Sequence, residues 1–305
     1  MKSEATRKFP LITGGNCVET WISSLRHTMT LTRENIIALG NKLAPAASTF
    51  SRLRNLLSDP NTDLDDIVKL IRLDPALTFN VVRMSNSVLF GLRDKTDSLD
   101  VAVGRVGLGE IFRLVGLAAA RQVCQRDLVT YRLRASRLWE NAVATAAAGE
   151  VLAQRSGRDA GLAYTAGLLR TIGRVVLDGA GLDQHYPGEA EWPSVSEWEK
   201  KVFGVTSAEV TTELLSHWYF PPELVESVRG HFDPIGDING TNIGACILNL
   251  ACGVAARFGL DLPGEGGDWV RTPAKLMLAG VSESDLEDCA NRARAHFVLL
   301  CSTVA

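Results

Sequence analysis

Ala166-Gly167-Leu168-Leu169-Arg170-Thr171-Ile172-Gly173-Arg174-Val175-Val176-Leu177 is the stretch on which the reading of this chain turns. Leu168, Leu169, Val175 and Val176 form an apolar framework suited to helices in a core, and they flank a polar pair, Arg170-Thr171. A guanidinium is always cationic and only donates, so Arg170 cannot ligate a metal ion, and a lone threonine hydroxyl is a poor ligand. Arginine does suit bidentate contact with a carboxylate or a phosphate.

Working outward, helix signals dominate. Thr62-Asp63-Leu64-Asp65 has the form of a capping box ahead of Ile67, Val68, Leu70 and Ile71, and Asp74-Pro75 places a capping carboxylate and a first-turn proline ahead of Leu77, Val81 and Met84. Ser194 to Glu197, Thr206 to Glu209 and Ser282 to Asp285 open three more amphipathic runs, and the Ala-rich segment Asn141 to Ala153 favours helix throughout. No run of alternating β-branched residues is flanked by hairpin turns. An all-α fold is expected, with connections near residues 87–99, 179–193, 233–242 and 262–269.

The 305 residues are 46% hydrophobic and 22% charged, enough for a large apolar core. A formal net charge of -3 provides no global attraction to nucleic acid or to an anionic membrane. The six cysteines are scattered without a Cys-x-x-Cys pair, which favours free thiols. Lys2, Arg7 and Lys8 are not followed by an apolar run of signal-peptide length, and no uninterrupted apolar segment reaches about 18 residues. The expectation is a cytoplasmic protein without a membrane partner.

Several motifs occur in a particular order: Leu70 to Thr78, Met84-Ser85-Asn86-Ser87-Val88-Leu89-Phe90-Gly91, Ser98 to Gly109, Trp139-Glu140-Asn141, the Ala166 to Leu177 stretch, Phe203-Gly204 through Glu209, and Trp218-Tyr219-Phe220-Pro221 through His231-Phe232. In that order and spacing the chain resembles the HD-related output domain (HDOD) family, a bacterial signalling branch of the HD-domain phosphohydrolases. The resemblance implies two helical lobes, the C-terminal one HD-like. Mapped here, residues 1–30 are an N-terminal extension, 31–126 the first lobe and 127–305 the second.

An HD hydrolase needs imidazoles and carboxylates converging on metal. Position by position, the resemblance puts Asn141 where the first histidine belongs, Arg170-Thr171 for the His-Asp pair, Ser207 for a further histidine and His231-Phe232 for a paired His-His. A terminal acidic position falls near Cys252. Of the imidazoles only His231 survives. No Gly-x-Ser-x-Gly elbow occurs, and Gly104 to Gly109 lacks the Lys-Ser/Thr of a phosphate loop. The reading contains no catalytic residue, no metal site and no cofactor.

Two roles stay open for Arg170: an anchor for a nucleotide or acidic ligand in a retained pocket, lined by Asn141, Thr171, Ser207 and His231, or an internal pair that plugs that pocket. Arg105, Arg113, Arg121, Arg126, Arg132, Arg134 and Arg137 form a basic segment where the lobes should meet, yet little aromatic interleaving supports base stacking, which argues against nucleic acid. Asp74, Asn86, Ser87, Arg121 and Arg126 are candidate partner-surface residues, and Trp192 and Trp269 are candidate exposed anchors. The leading expectation is a non-catalytic regulatory module whose partners are signalling proteins. The alternatives are a divergent metal-dependent phosphohydrolase and a nucleotide-sensing domain.

Overall fold

The computed structural model describes residues 31–43, 45–59, 61–86, 95–180, 184–236 and 242–304. Among them every regular element is helical, and the one bridge, Leu128 to Leu133, closes a turn. The first helices are α1 (Arg33–Leu43), α2 (Pro45–Ser58), α3 (Leu64–Arg72), α4 (Pro75–Ser85), α5 (Leu99–Val106) and α6 (Leu108–Val123). There follow α7 (Ala135–Arg155), α8 (Ala160–Leu169), α9 (Ile172–Gly179), α10 (Val195–Phe203), α11 (Ser207–His217) and α12 (Pro222–Gly230). The last are α13 (Ile243–Arg257), α14 (Pro273–Ala279) and α15 (Glu283–Val304).

Most helices begin where short polar side chains take up the free amides of the first turn. Asp74 accepts from the Leu77 amide, with Pro75 at the first helical position, and Thr206 and Glu209 form a reciprocal capping box at α11. Ser282 and Asp285 exchange the same pair of bonds at α15. At α3 the expected box is corrected: the cap is Asp63, which accepts from the Asp66 amide, and Thr62 lies outside the helix. The aspartate wins because its carboxylate also complements the positive helix end. Gly107, at φ 87°, makes the tight turn from α5 to α6 that the glycine run implied, whereas Gly91 lies outside the described residues.

The Ala-rich helix α7 is the central post, packed by α8, α13 and α15. Its small side chains let partners approach closely: Ala142, Val143, Ala144, Ala146, Ala147 and Ala148 are all buried. Helices α2 to α6 form the N-terminal layer. Phe50 of α2 joins it to the rest, with its ring 4.9 Å from Phe112 and 6.3 Å from Phe220. Two of the expected basic residues, and Arg54 besides, form ion pairs here. Arg113 pairs with Glu150 of α7, Arg126 lies 2.7 Å from Asp178 of α9, and Arg54 lies 2.6 Å from Asp159 ahead of α8.

The break between α8 and α9 lies within Ala166 to Leu177. Its two glycines make close approach possible. A Cβ on Gly167 would press into the Ala146 backbone of α7, and one on Gly173 would overlap the Ser207 carbonyl oxygen of α11. The Gly173 amide instead donates to the Thr211 hydroxyl at 3.0 Å. Gly173→Ala is therefore expected to cost about 1–3 kcal/mol or more in urea unfolding through forced separation of α9 and α11. Gly104→Ala, in α5 with open space at the added methyl, should be neutral or stabilise by up to about 1 kcal/mol.

Candidate functional site

Arg170 ends α8 and turns its guanidinium into the protein interior, where it meets the loop between α13 and α14. Nη1 donates to Glu265 Oε1 at 3.1 Å and Nη2 to Glu265 Oε2 at 3.0 Å, a bidentate fork, while Nη2 also donates to Asn141 Oδ1 at 2.7 Å. Both partners of the ion pair are about 1% exposed. Asn141 is fixed in turn by donating to the Leu260 carbonyl at 2.7 Å.

One turn further, Arg174 of α9 donates to Glu265 Oε1 at 2.7 Å and to the Pro263 carbonyl at 3.3 Å. One carboxylate thus bridges two guanidiniums. Each cation also lies over an aromatic face, Arg170 on Trp269 at 5.4 Å and Arg174 on Tyr131 at 5.3 Å. Beneath this layer Tyr131 donates its hydroxyl to Glu199 at 2.9 Å, and Glu199 accepts the Ser207 amide at 2.6 Å. Burial raises the Glu199 carboxyl pKa despite Arg174, whereas Glu265 goes the other way. Burial would push its carboxyl up too, but Arg170 and then Arg174 outweigh that and hold it below the ordinary range.

The five expected pocket residues are all buried, but they are not one lining. Asn141 and Arg170 bond each other. Thr171 precedes α9 and makes no capping bond, and Ser207 uses its backbone to join Glu199 and pack on Gly173. His231 ends α12, with Nδ1 2.6 Å from the Val228 carbonyl, so the proton sits on Nδ1 and the buried Nε2 keeps a free lone pair. Its ring packs on Phe232 and Trp269 at 4.2 and 5.8 Å. Burial pushes its pKa down to about 4, with the Arg170 cation lowering it further, so the ring is neutral.

A metal does not fit this donor set. One imidazole has a free lone pair, but its neighbour is a fixed cation already bound to Glu265. Burial pushes the Cys252 thiol up to about 12, so it is no thiolate ligand. Among the described residues no group of three or more His, Cys, Asp or Glu could hold a metal ion.

Glu265, Arg174, Glu199 and Trp269 are the parts that sequence reasoning missed. The only hint was that a buried arginine demands a carboxylate, and Gly264-Glu265-Gly266-Gly267-Asp268 is an acidic loop free to approach. Trp269 is corrected from exposed anchor to buried platform, because its face stacks on Phe232 and carries Arg170. Trp192 is half-buried. Among the partner-surface candidates, Asp74 caps α4, and Asn86 holds the backbone of Thr96 by bonds of 2.7 and 2.9 Å. Arg121 lies on the Trp139 ring and Arg126 pairs with Asp178, while Ser87 lies outside the described residues.

The HDOD domain model matches residues 43–234, and the chain belongs to that family. Solved structures agree. An HDOD domain protein of unknown function from Geobacter sulfurreducens is 18% identical with a TM-score of 0.64, covering 89% of this chain and 98% of its own. A presumed phosphohydrolase from Shewanella amazonensis SB2B is 21% identical with a TM-score of 0.62, over 89% and 98%. A presumed signal transduction protein from Marinobacter aquaeolei VT8 is 20% identical with a TM-score of 0.65, over 95% and 66%. At these identities the likeness is one of fold. An uncharacterized protein of Treponema pallidum (strain Nichols) is 27% identical over 195 residues, 60% of this chain and 36% of that protein, so the match spans little more than a third of that relative.

Two outcomes follow for stability. Glu265→Gln keeps the volume but strands two buried guanidiniums, so urea unfolding should lose about 3–5 kcal/mol. For pH, the neutral His231 favoured by the fold makes unfolding take up a proton as pH falls from about 6.5 to about 4, so stability drops across that window. Asp268 opposes it. Burial, then Glu265, push its carboxyl up to about 6, so the folded form holds a proton that the unfolded chain releases, and stability rises as pH falls from about 6 towards 4. Asp268→Asn should therefore steepen the acid-side loss, and His231→Phe should flatten it, both read as the slope of unfolding free energy against pH.

Proposed function

We propose that this chain is a non-catalytic regulatory module of a bacterial signalling pathway, acting in the cytoplasm through contact with other proteins. The observation that supports it is the Arg170–Glu265 pair: the place that holds the metal in an HD hydrolase is filled by an ion pair that engages both terminal nitrogens of the guanidinium. Catalysis in such hydrolases depends on metal-bound water, and these donors do not provide it. Between the two roles left open for Arg170, the plug is favoured. Both terminal nitrogens and one face of the guanidinium are already engaged, which leaves little with which to grip a phosphate.

Contact with a partner is assigned to the N-terminal layer, beside Asp74. There Leu73 is 68% and Phe79 66% exposed, two large apolar side chains at the junction of α3 and α4 and on the next turn. Hydrophobic residues so placed supply a binding surface with little else to do in the monomer. No helix among the described residues is long and apolar enough to cross a membrane.

Purified protein incubated with Mn, Fe or Zn is expected to retain no stoichiometric metal by elemental analysis and to hydrolyse neither nucleotides nor cyclic dinucleotides. Stoichiometric metal with turnover would establish the phosphohydrolase reading instead. A nucleotide thermal-shift screen should leave the midpoint unmoved, whereas a concentration-dependent rise abolished by Arg170→Lys would establish the sensor. Phe79→Asp should leave the unfolding midpoint within about 0.5 kcal/mol of wild type and remove proteins captured by the wild-type chain.

A further inference from the structure

Glu150, in the C-terminal part of the buried post α7, faces three other helices. Its Oε1 takes Arg113 Nε of α6 at 2.9 Å and also Arg113 Nη2. Arg113 in turn pairs with Glu110 on its own helix, and Tyr164 of α8 donates its hydroxyl to the Arg113 carbonyl at 3.3 Å. Oε2 is different: it is buried and has no hydrogen-bond partner. His296 Nδ1 of α15 lies 3.6 Å from it, on a side chain 33% exposed. A carboxylate oxygen left without a donor in the interior costs about 1–3 kcal/mol. The ring beside it can supply that donor.

We infer that His296 and Glu150 form a proton-operated latch that fastens the last helix to the core. When the imidazole is protonated both ring nitrogens donate, and Nδ1–H closes on the orphan Oε2 as a charge-assisted bond. When it is neutral, the tautomer with the proton on Nδ1 can still donate to Oε2, but without the charge, and the contact is the weaker one. Neutralising Arg113 alone does not satisfy Oε2, because Arg113 occupies the other oxygen. Among the described residues, neighbouring arginines on the packed helices have other partners. Arg292, one turn back on α15, reaches Gln154 and Asp288, Arg257 of α13 is taken by Glu287, and Arg155 at the end of α7 is taken by Asp285.

The placement gives the latch a target. Helix α15 lies beyond the segment matched by the family model, and it covers the helix that carries Asn141, the contact of Arg170. The carboxylate it grips also holds Arg113 from the N-terminal layer. One proton on α15 therefore bears on three elements at once.

Amide hydrogen exchange of the full chain tests this at about pH 7.5 and about pH 5.5, with rates corrected for intrinsic exchange. The expected result is protection of residues 290–300 that rises severalfold more on acidification in wild type than in His296→Gln, with α9 and α10 behaving alike in both. A pH response of α15 equally large in His296→Gln overturns the latch, as does no response in wild type. Glu150→Gln serves as the second variant. If it folds, its α15 should lose the pH response; if it does not, the His296→Gln comparison stands alone. Retention of the response in folded Glu150→Gln also overturns the latch.

Discussion

Two guanidiniums and one carboxylate in a dry interior set the terms for the rest of this molecule. Removing Arg170, Arg174 and Glu265 from water is costly, and the cost is offset by close geometry: a bidentate fork, a second cation on the same oxygen, the Asn141 amide oxygen on Nη2 of Arg170 and an aromatic face under each cation, with only Arg170 Nε left unpartnered. That requirement dictates the surroundings. The loop at residues 262–269 must fold inward to deliver Glu265, α9 must lie close enough to α11 to bury Arg174, and Gly173 is what permits that closeness. Glu199 then remains buried near Arg174, held by Tyr131 and the Ser207 amide.

The same arrangement explains how a hydrolase framework can persist without hydrolase ligands. A metal site is a cluster of anionic and neutral donors held together by a central cation; remove the cation and the donors repel or lie unsatisfied. On the proposed reading, the Arg170 guanidinium would supply a central positive charge covalently, with Glu265 and Asn141 converging on it. Such an exchange would keep the electrostatic balance of the framework without a labile water or an open coordination position.

The fold was largely legible, because it rests on local signals. Capping residues at Asp74, Ser194, Thr206 and Ser282 and the Ala-rich run from Asn141 mark helices by chemistry within a single turn, and each marks a helix in the structure. The one slip, Thr62 for Asp63, concerned two adjacent capping residues that differ only in charge. The site was legible by half. Arg170 announced that a partner existed, since an unpaired buried cation is not tolerated, but its partner lies 95 positions away in a glycine-rich loop with no periodicity to place it. Pairings at that separation depend on tertiary packing, and single-residue chemistry cannot choose Glu265 over Asp261 or Asp268. Trp269 was misjudged for the same reason: a tryptophan in a loop looks exposed until the cation that lies on it is known.

The arginines that the sequence gathered between residues 105 and 137 meet a related logic at the joint between the N-terminal layer and the rest. Arg113 and Arg126 each reach across to a carboxylate that is nearly fully buried, Glu150 and Asp178, while their own stems stay partly in solvent. A basic stretch that would attract polyanions if all its charges were free is instead partly spent on stitching helices together. That layer also leaves two large apolar side chains, Leu73 and Phe79, uncovered beside the Asp74 cap. An apolar pair of this kind discriminates by shape and desolvation, the terms on which the proposed protein contact would rest.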